Sequence, residues 1–170
     1  VRDWEKSRQE GESAADLVTA YEEVKQALGL TESVEDMAKS TAVSSMVYDN
    51  RPGDGSAREQ AASCQRVLGG GANIAIEYAT KRYRSNVINW GMLPFLTSEE
   101  DSKTMAVGDY VYVPNVRDQL FSDSDDYNAY VISGGVKKAE ITLHLGHLSD
   151  EEKDIIAAGC LINYYANSKA

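Results

Sequence analysis

Residues 53–95 read GDGSAREQAASCQRVLGGGANIAIEYATKRYRSNVINWGMLPF, and the order of segments in this stretch decides the fold. Residues 58–68 have the pattern of a helix, which a run of glycines ends. Residues 73–76 are apolar enough for a short buried strand. Residues 78–85 predict another helix, with extended structure again at 87–88 before Gly-Met-Leu-Pro closes the unit. Because strand and helix alternate here, we predict an α/β fold with parallel pairing.

The sequence ahead of this stretch is helical first and extended afterwards. Residues 14–28 have apolar side chains at helical spacing, and Gly29 follows as a stop signal. This apolar stripe, which we assign to core packing, consists of Leu17, Tyr21, Val24 and Leu28. Residues 31–39 predict a short second helix, and residues 42–48 predict a strand. The strand leads into a dense turn signal at residues 50–55.

The last third of the chain has the pattern of antiparallel strands. Residues 107–113 alternate in the manner of a half-buried strand, and residues 122–126 predict an acidic loop. A β-hairpin is predicted over residues 130–145, because two glycines mark its turn and apolar side chains alternate with polar ones in its second arm. Residues 149–152 have the spacing of a capping box, so a final helix is predicted from there to about residue 165.

The chain is acidic, with a formal net charge of −10 and a pI of about 4.7. An acidic surface repels phosphate backbones, so we expect no nucleic-acid partner. No apolar run reaches the length needed to span a bilayer, and no secretory signal is visible, so we expect a cytoplasmic protein. The first residue is Val1 rather than Met, which favours a fragment or a processed product.

Potential metal ligands are too scattered in the sequence to predict a metal site. Cys64 and Cys160 lack metal-site spacing and are too few for a disulfide scaffold, so we expect two buried, reduced thiols. His144 and His147 would lie on a strand and its following turn with no third ligand near, which favours a surface pair. The acidic residues at 123–126 lack the glycine and terminal glutamate of an EF-hand loop, so a solvated loop is expected.

The sequence with the clearest chemical potential is Gly-Asp-Gly-Ser-Ala-Arg at residues 53–58, between a predicted strand and a predicted helix. The glycines allow a tight turn and the close approach of a ligand. Ser56 and Ala57 fall at the helix N-terminus, where free backbone N–H groups attract an anion. Arg58 adds a two-pronged contact to a carboxylate. Such a site can hold a di- or tricarboxylate and stabilise Ser56 as an alkoxide, which a serine base requires.

A purely structural interpretation of the same residues is open at this point. Serine is a favoured N-cap in any protein, so Ser56 is also read as an ordinary cap. Arg58 would then form a salt bridge rather than bind a ligand. The motif alone favours this structural interpretation over the catalytic one.

Four spaced elements in this chain resemble the C-terminal domain of aconitases and the small subunit of isopropylmalate dehydratases. The order in that family is Gly-x-Gly-Ser-Ser-Arg-(Glu/Asp)-x-Ala, then Leu-Gly, then His-x-(Ser/Thr)-Asn, then Gly-(Leu/Val)-Leu-Pro. The corresponding residues here are 53–61, 68–69, 83–86 and 91–94. Residues 158–163 resemble the Ala-Gly-x-x-Leu-Asn of the last aconitase helix. The resemblance implies a swivel-type α/β domain, layered β/β/α, with a parallel-containing sheet and a C-terminal hairpin plus helix.

The resemblance also implies a role for each matching residue. Ser56 falls on the catalytic serine of the family, which abstracts the proton next to a carboxylate. Arg58 falls on the arginine that binds a substrate carboxylate, and Gly55 and Ala57 are expected to line the same substrate site. Tyr83 replaces the usual histidine, and Ala57 replaces the usual second serine. Losing that serine removes a hydroxyl from the substrate site, which puts citrate-to-isocitrate chemistry in doubt and favours a sister activity on another 2- or 3-hydroxy acid equally.

The family resemblance assigns the cofactor to another part of the enzyme. Aconitases bind a 4Fe–4S cluster through three cysteines on another domain, and Cys64 and Cys160 match none of those positions. We therefore expect a cluster-bearing large domain or subunit as the partner, and a hydroxy di- or tricarboxylic acid as the substrate of a hydro-lyase. The alternative is a non-catalytic aconitase-like interaction or regulatory module.

The domain organisation follows from where the resemblance begins. No match to the arginine motif that normally opens this domain is found, so residues 1–40 are interpreted as a helical, divergent or trimmed N-terminal part. Residues 41–170 are interpreted as the aconitase-like swivel domain itself. The two parts together are expected to make one domain.

Overall fold

The elements of the chain follow the alternation that the sequence predicts. A computed structural model describes residues 15–168. In chain order the elements are α1 (Ala15–Leu28), α2 (Val34–Ser40), β1 (Ser45–Asp49), α3 (Arg58–Val67), β2 (Gly70–Ala75), α4 (Lys81–Asn89), β3 (Leu93–Leu96), α5 (Glu99–Ser102), β4 (Tyr110–Tyr112), α6 (Val116–Leu120), β5 (Asp126–Ser133), β6 (Val136–His144), α7 (Asp150–Ala158) and α8 (Leu161–Asn167). Residue 14, where the first helix was predicted to begin, and the side chain of Leu17 lie outside the described part.

The strands of the described residues lie in one sheet with the order β1-β2-β3-β6-β5-β4. Strands β1, β2 and β3 run parallel to one another. Strands β6, β5 and β4 pair antiparallel, and a single register pair, Leu96 with His144, joins the two halves of the sheet. The predicted α/β class, with parallel pairs and a C-terminal hairpin followed by a helix, is confirmed.

The parallel half contains one strand that the sequence analysis missed. Leu93–Leu96 was read as the end of a unit, yet it pairs with β2 as strand β3. Pro94 argues against a strand at this position, because a residue without a backbone N–H seldom occurs inside a sheet. The proline is tolerated since the pairing of β3 with β6 is confined to Leu96. The extended structure predicted at 87–88 is wrong, because Val87 and Ile88 continue helix α4 and are buried there.

Helices α3 and α4 cover one face of the parallel half. Their contact is built from Ala62 of α3, Tyr83 and Val87 of α4, and Met92 ahead of β3, all of them buried. Tyr83 and Val87 are one helical turn apart, so they lie on the same face of α4. This packing fixes the first turn of each helix relative to the sheet.

The antiparallel half follows its prediction closely. The second arm of the hairpin buries Ile141, Leu143 and Leu145, while Glu140 and His144 face solvent. Helix α1 packs on the hairpin as well, and its Tyr21 and Val24 form a second apolar cluster with Met37 of α2 and Ile132 of β5. The strand predicted over residues 107–113 is shorter than expected, because Val107 is fully exposed and pairing is limited to Tyr110–Tyr112.

The final helix begins as predicted and ends early. Ser149 and Glu152 form both hydrogen bonds of a capping box. The single helix predicted to residue 165 is wrong, because Gly159 adopts a left-handed conformation with φ 87° and separates α7 from α8. The break brings the Gly159 carbonyl against Gly91, where a Cβ would lie 2.0 Å from that oxygen. It therefore fixes the C-terminal helices against the turn that precedes β3.

Candidate active site

The candidate site lies on the loop that joins β1 to α3. Strand β1 ends at Asp49, and the chain passes through buried Pro52 before it turns at Gly53, which has φ 95°. Ser56 is exposed on this loop, and α3 begins two residues later at Arg58. The loop leaves the carboxyl end of a parallel strand, which is where ligands bind in open α/β sheets.

The loop is fixed to the segment that follows β2. The amide of Ala79 donates to the carbonyl of Pro52 at 2.9 Å, and the amide of Glu77 donates to the carbonyl of Asn50 at 3.0 Å. The carbonyl of Gly53 accepts from Arg58 Nε at 3.0 Å and from the Thr80 hydroxyl at 3.3 Å. Two loops at the same sheet edge therefore hold one another in place.

Ser56 does not act as the N-cap of α3. The cap is Ala57, whose backbone has φ −86° and ψ 47° and which has no side-chain oxygen to accept from the first turn. Arg58 forms no salt bridge within residues 15–168. The structural interpretation, in which Ser56 caps the helix and Arg58 forms an ion pair, is therefore wrong. The first-turn N–H groups of α3 receive no side-chain cap and remain available to an anion.

The Arg58 guanidinium is hydrogen-bonded through Nε, and its outer edge, formed by the two terminal nitrogens, has no acceptor within residues 15–168. Its Nε donates to the Gly53 carbonyl. The residue is half-buried. A guanidinium fixed in this way presents its outer edge as a planar fork for one carboxylate.

A buried polar cluster lies beneath the loop, and the sequence analysis did not predict it. The Tyr83 hydroxyl accepts from Gln65 Nε2 at 2.9 Å and from Asn73 Nδ2 at 2.8 Å. The Tyr83 ring packs against Gly53 so closely that a Cβ there would lie 2.4 Å from Tyr83 Cβ. Asn73 in the middle of an otherwise apolar strand was the available signal, because a buried amide needs polar partners.

The aromatic residue beside this cluster is Tyr78, whose hydroxyl donates to the Phe95 carbonyl at 3.4 Å. Burial raises the pKa of Tyr78, and the neighbouring Tyr83 raises it further. The centroids of the two rings are 6.2 Å apart. Burial and the neighbouring ring therefore both favour the neutral phenol of Tyr78.

The cysteines and histidines are not gathered into a metal site. Both thiols are free, but the prediction that they are buried is wrong, because Cys64 is exposed on α3 and Cys160 is partly exposed. His144 and His147 are both exposed, and Nδ1 of His144 lies 2.7 Å from Asp126 Oδ1 across the hairpin. Within the described residues no three His, Cys, Asp or Glu side chains are grouped so that they could hold a metal ion.

Two cavities of the described residues lie away from Ser56. One of about 810 Å³ separates α1 and α2 from the sheet and is lined mostly by apolar side chains, among them Tyr21, Met46 and Phe95. A neighbouring cavity borders Arg66 and Tyr112. Neither cavity is lined by a residue of the 53–58 loop.

Residues 8–100 match the family of the aconitase C-terminal domain, which is more than half of the chain. The chain belongs to this family. The matched segment contains the whole 53–58 loop together with strands β1 to β3, so the geometry described above is that of an aconitase C-terminal domain.

Two dehydratases are similar to this domain. The mitochondrial homocitrate dehydratase of Saccharomyces cerevisiae is 28% identical over 125 residues, which is 72% of this chain and 16% of the yeast protein. The domain thus spans about a sixth of the length of that relative. A solved 3-isopropylmalate dehydratase from Methanocaldococcus jannaschii matches with a TM-score of 0.53 and 24% identity, covering 88% of this chain and 78% of the solved one. That likeness shows that the aconitase-type fold is shared.

The described helices give no indication of a membrane span. None of them within residues 15–168 is both long enough and apolar enough to cross a bilayer.

Proposed function

We propose that this chain is the serine-bearing swivel domain of an iron–sulfur hydro-lyase that dehydrates and rehydrates a hydroxy di- or tricarboxylic acid. Ser56 is the base, Arg58 binds a carboxylate of the substrate, and Gly55 and Ala57 line the substrate site. One observation carries the proposal above all. An exposed, uncapped helix N-terminus presents Ser56 beside an arginine whose outer edge has no acceptor in the described residues.

The chemistry of the proposed site begins with a carboxylate on Arg58. Two parallel hydrogen bonds from the guanidinium orient the substrate so that a C–H bond next to a carboxylate faces Ser56. The free N–H groups of the first turn of α3 favour the ionised form of Ser56, because the positive end of the helix stabilises an anion there. Ser56 Oγ takes the proton from carbon, the C–C double bond forms, and the hydroxyl on the neighbouring carbon leaves as water with a proton supplied from elsewhere in the enzyme.

The residues of this chain do not fit a 4Fe–4S cluster. Cys64 lies on α3 and Cys160 precedes α8, and no third thiol exists in the sequence. We infer that a cluster-bearing large domain or subunit is the partner and completes the site. The fraction of the yeast relative that this chain spans agrees with such a division. No nucleic acid or membrane is included among the proposed partners, and the cytoplasmic location stays a prediction, because the yeast relative is mitochondrial.

The identity of residue 57 bears on the substrate. Alanine there offers no hydroxyl to a substrate oxygen, so a site built around Ala57 is expected to prefer an acid other than citrate. The two similar proteins are named for homocitrate and 3-isopropylmalate, which are the first acids to assay. Ala57→Ser is expected to change the preference among these acids more than it lowers the overall rate.

The test of the proposal is Ser56→Ala in the complete enzyme, assayed by the absorbance of the unsaturated acid. A general base contributes about 10²–10⁴-fold, so kcat should fall by about that factor while KM changes little. Ser63→Ala is the matched control, because Ser63 lies on the same helix and its hydroxyl donates to the Gln60 carbonyl within that helix. Equal rates for Ser56→Ala and the wild-type enzyme would remove Ser56 from the mechanism.

A second experiment tests the division of labour. The isolated chain should be inactive and colourless, because it lacks a set of cluster ligands. Anaerobic iron–sulfur reconstitution, followed by visible absorbance and iron content, measures this directly. A stoichiometric cluster on the isolated chain would contradict the assignment of the cofactor to another domain.

The non-catalytic alternative makes the opposite prediction for the complete protein. An aconitase-like interaction or regulatory module with an intact cluster would show no hydration of any acid in the panel. Ser56→Ala would then leave its properties unchanged.

A further inference from the structure

Thr80 connects the two loops of the proposed active site. Its hydroxyl accepts from the backbone N–H of Tyr83 at 3.2 Å and so caps helix α4. The same hydroxyl donates to the Gly53 carbonyl at 3.3 Å. Because a hydroxyl has one proton and two lone pairs, both bonds are made at once.

The Gly53 carbonyl is the point at which Thr80 meets Arg58. This oxygen accepts from Arg58 Nε at 3.0 Å and from Thr80 on the other side. A Cβ at Gly53 would lie 2.4 Å from Tyr83 Cβ, so the Tyr83 side chain packs tightly against Gly53 and limits its movement. The position of the carbonyl therefore sets the direction of the guanidinium.

We propose that Thr80 is a positioning residue, which fixes the Gly53 carbonyl and thereby orients Arg58 toward the substrate carboxylate. This inference rests on the proposed function, since it assigns Thr80 a role in a site whose substrate-binding residue is Arg58. Arginine loses side-chain rotamer entropy when it is immobilised. A guanidinium already held at Nε has lost part of that freedom before the ligand arrives, which favours binding.

The experiment is a double-mutant cycle in the complete enzyme. Thr80→Val removes the hydroxyl while keeping the branched shape, and Arg58→Lys removes the donor to the same carbonyl. The probe is propane-1,2,3-tricarboxylate, an unreactive tricarboxylate, whose Kd is measured by calorimetry beside kcat and KM. Thr80→Val should weaken the Kd and raise KM by roughly five- to tenfold, the size expected for one lost hydrogen bond. In the Arg58→Lys background the same substitution should change the Kd by less than about twofold, because the coupling is lost.

Two control variants separate positioning from helix capping. Thr80→Ser keeps the hydroxyl and should retain the wild-type Kd. Ser149→Ala removes the cap of α7, which lies outside the site, and should lower stability without changing the Kd. Equal effects of Thr80→Val in both backgrounds, or an unchanged Kd in Thr80→Val, would overturn the proposal.

The outcome for Thr80 is distinguishable from the outcome for Ser56. If Ser56→Ala stays fully active while the Thr80–Arg58 coupling is observed, the proposed base is wrong and the positioning role stands. If Ser56→Ala is inactive while Thr80→Val binds the tricarboxylate normally, the proposed function stands and the positioning role is wrong.

Discussion

The parallel and antiparallel halves of the sheet are stabilised in different ways. The antiparallel half buries aliphatic side chains such as Val131, Ile141 and Leu143, and its strands pair over their full length. The parallel half buries an amide and a phenol, Asn73 and Tyr83, beneath a loop with an exposed serine. Apolar burial supplies most of the stability of a domain, whereas a polar cluster has to satisfy each member to be tolerated. The two halves share one apolar core, to which Ile74 and Phe95 of the parallel half belong, and the parallel half adds a polar cluster that gives positional accuracy under the loop.

The hydrogen bonds of the polar cluster show how the position of Tyr83 is fixed. The amides of Gln65 and Asn73 both face the Tyr83 hydroxyl, and the oxygens Gln65 Oε1 and Asn73 Oδ1 have no partner in the described residues. The phenol oxygen accepts from both amides at once, which uses both acceptor sites of a hydroxyl. These two bonds limit how Tyr83, and the glycine packed on it, can move.

The largest expected effect on stability lies in the antiparallel half. Leu143→Ala removes a fully buried side chain, which should lower the free energy of unfolding by about 2–5 kcal/mol. Urea denaturation of the 170-residue chain measures this. Val136→Ala in the same strand is the control, because Val136 is 62% exposed and its loss should cost less than about 0.5 kcal/mol. Similar losses in the two variants would contradict the assignment of stability to the buried face of the hairpin.

A somewhat smaller effect is expected where the parallel half meets the C-terminal helices. Gly91→Ala places a Cβ 2.0 Å from the Gly159 carbonyl at φ 68°, so the turn between α7 and α8 has to shift. We expect a loss of about 2–3 kcal/mol in the free energy of unfolding. Gly134→Ala is the control, because its φ is 57° but nothing lies within 4 Å, and only the left-handed strain of about 1–2 kcal/mol remains. If both variants lose the same stability, the contact with Gly159 is unimportant.

Sequence patterns identified the antiparallel half better than the parallel half. Alternation in the hairpin and the capping box at Ser149 are local signals, and both are confirmed. Strand β3 was missed because Pro94 contradicts strand propensity, and only the limited pairing of β3 with β6 reveals why the proline is tolerated. The break at Gly159 was missed because the packing against Gly91 is a contact between residues far apart in sequence.

The sequence likewise predicts some features of the candidate site and not others. The loop, the start of α3 at Arg58 and the exposure of Ser56 agree with the sequence prediction. The catalytic and substrate-binding roles stay predictions. Thr80 could not have been found from the sequence, since its importance depends on a hydrogen bond to a backbone carbonyl in another loop.

A moderate effect is expected from the hydroxyl of Tyr83. Tyr83→Phe keeps the ring against Gly53 but leaves the amides of Gln65 and Asn73 without their shared partner. Buried groups left unpaired cost about 1–3 kcal/mol, which urea denaturation should detect. Tyr165→Phe is the control, because Tyr165 is 52% exposed and should lose less than about 0.5 kcal/mol. A Tyr83→Phe variant as stable as the control would show that the cluster does not stabilise the parallel half.

The smallest expected effect depends on pH and lies at the edge of the antiparallel half. Lys138 Nζ donates to Asp109 at 2.6 Å, and the Ala106 amide donates to the same carboxylate at 2.9 Å. The hydrogen bond from Lys138 is the main cause that lowers the pKa of Asp109 from its ordinary 3.8. A carboxyl whose pKa is lower in the folded state stabilises the fold above its unfolded pKa, and this contribution is lost as the pH falls through the folded value.

The measurement for Asp109 is a series of urea denaturations between neutral and acidic pH. Asp109→Asn should be less stable than the wild-type chain by at most about 1 kcal/mol at pH 7, because Lys138 is partly exposed and the pair is screened. The difference should shrink as the pH falls below 3.8, since the wild-type carboxylate then becomes protonated as well. Asp123→Asn removes the same charge from an exposed loop, and its stability should stay close to that of the wild-type chain at every pH. A difference between Asp109→Asn and the wild-type chain that is independent of pH would mean that the side chain acts through packing rather than through its charge.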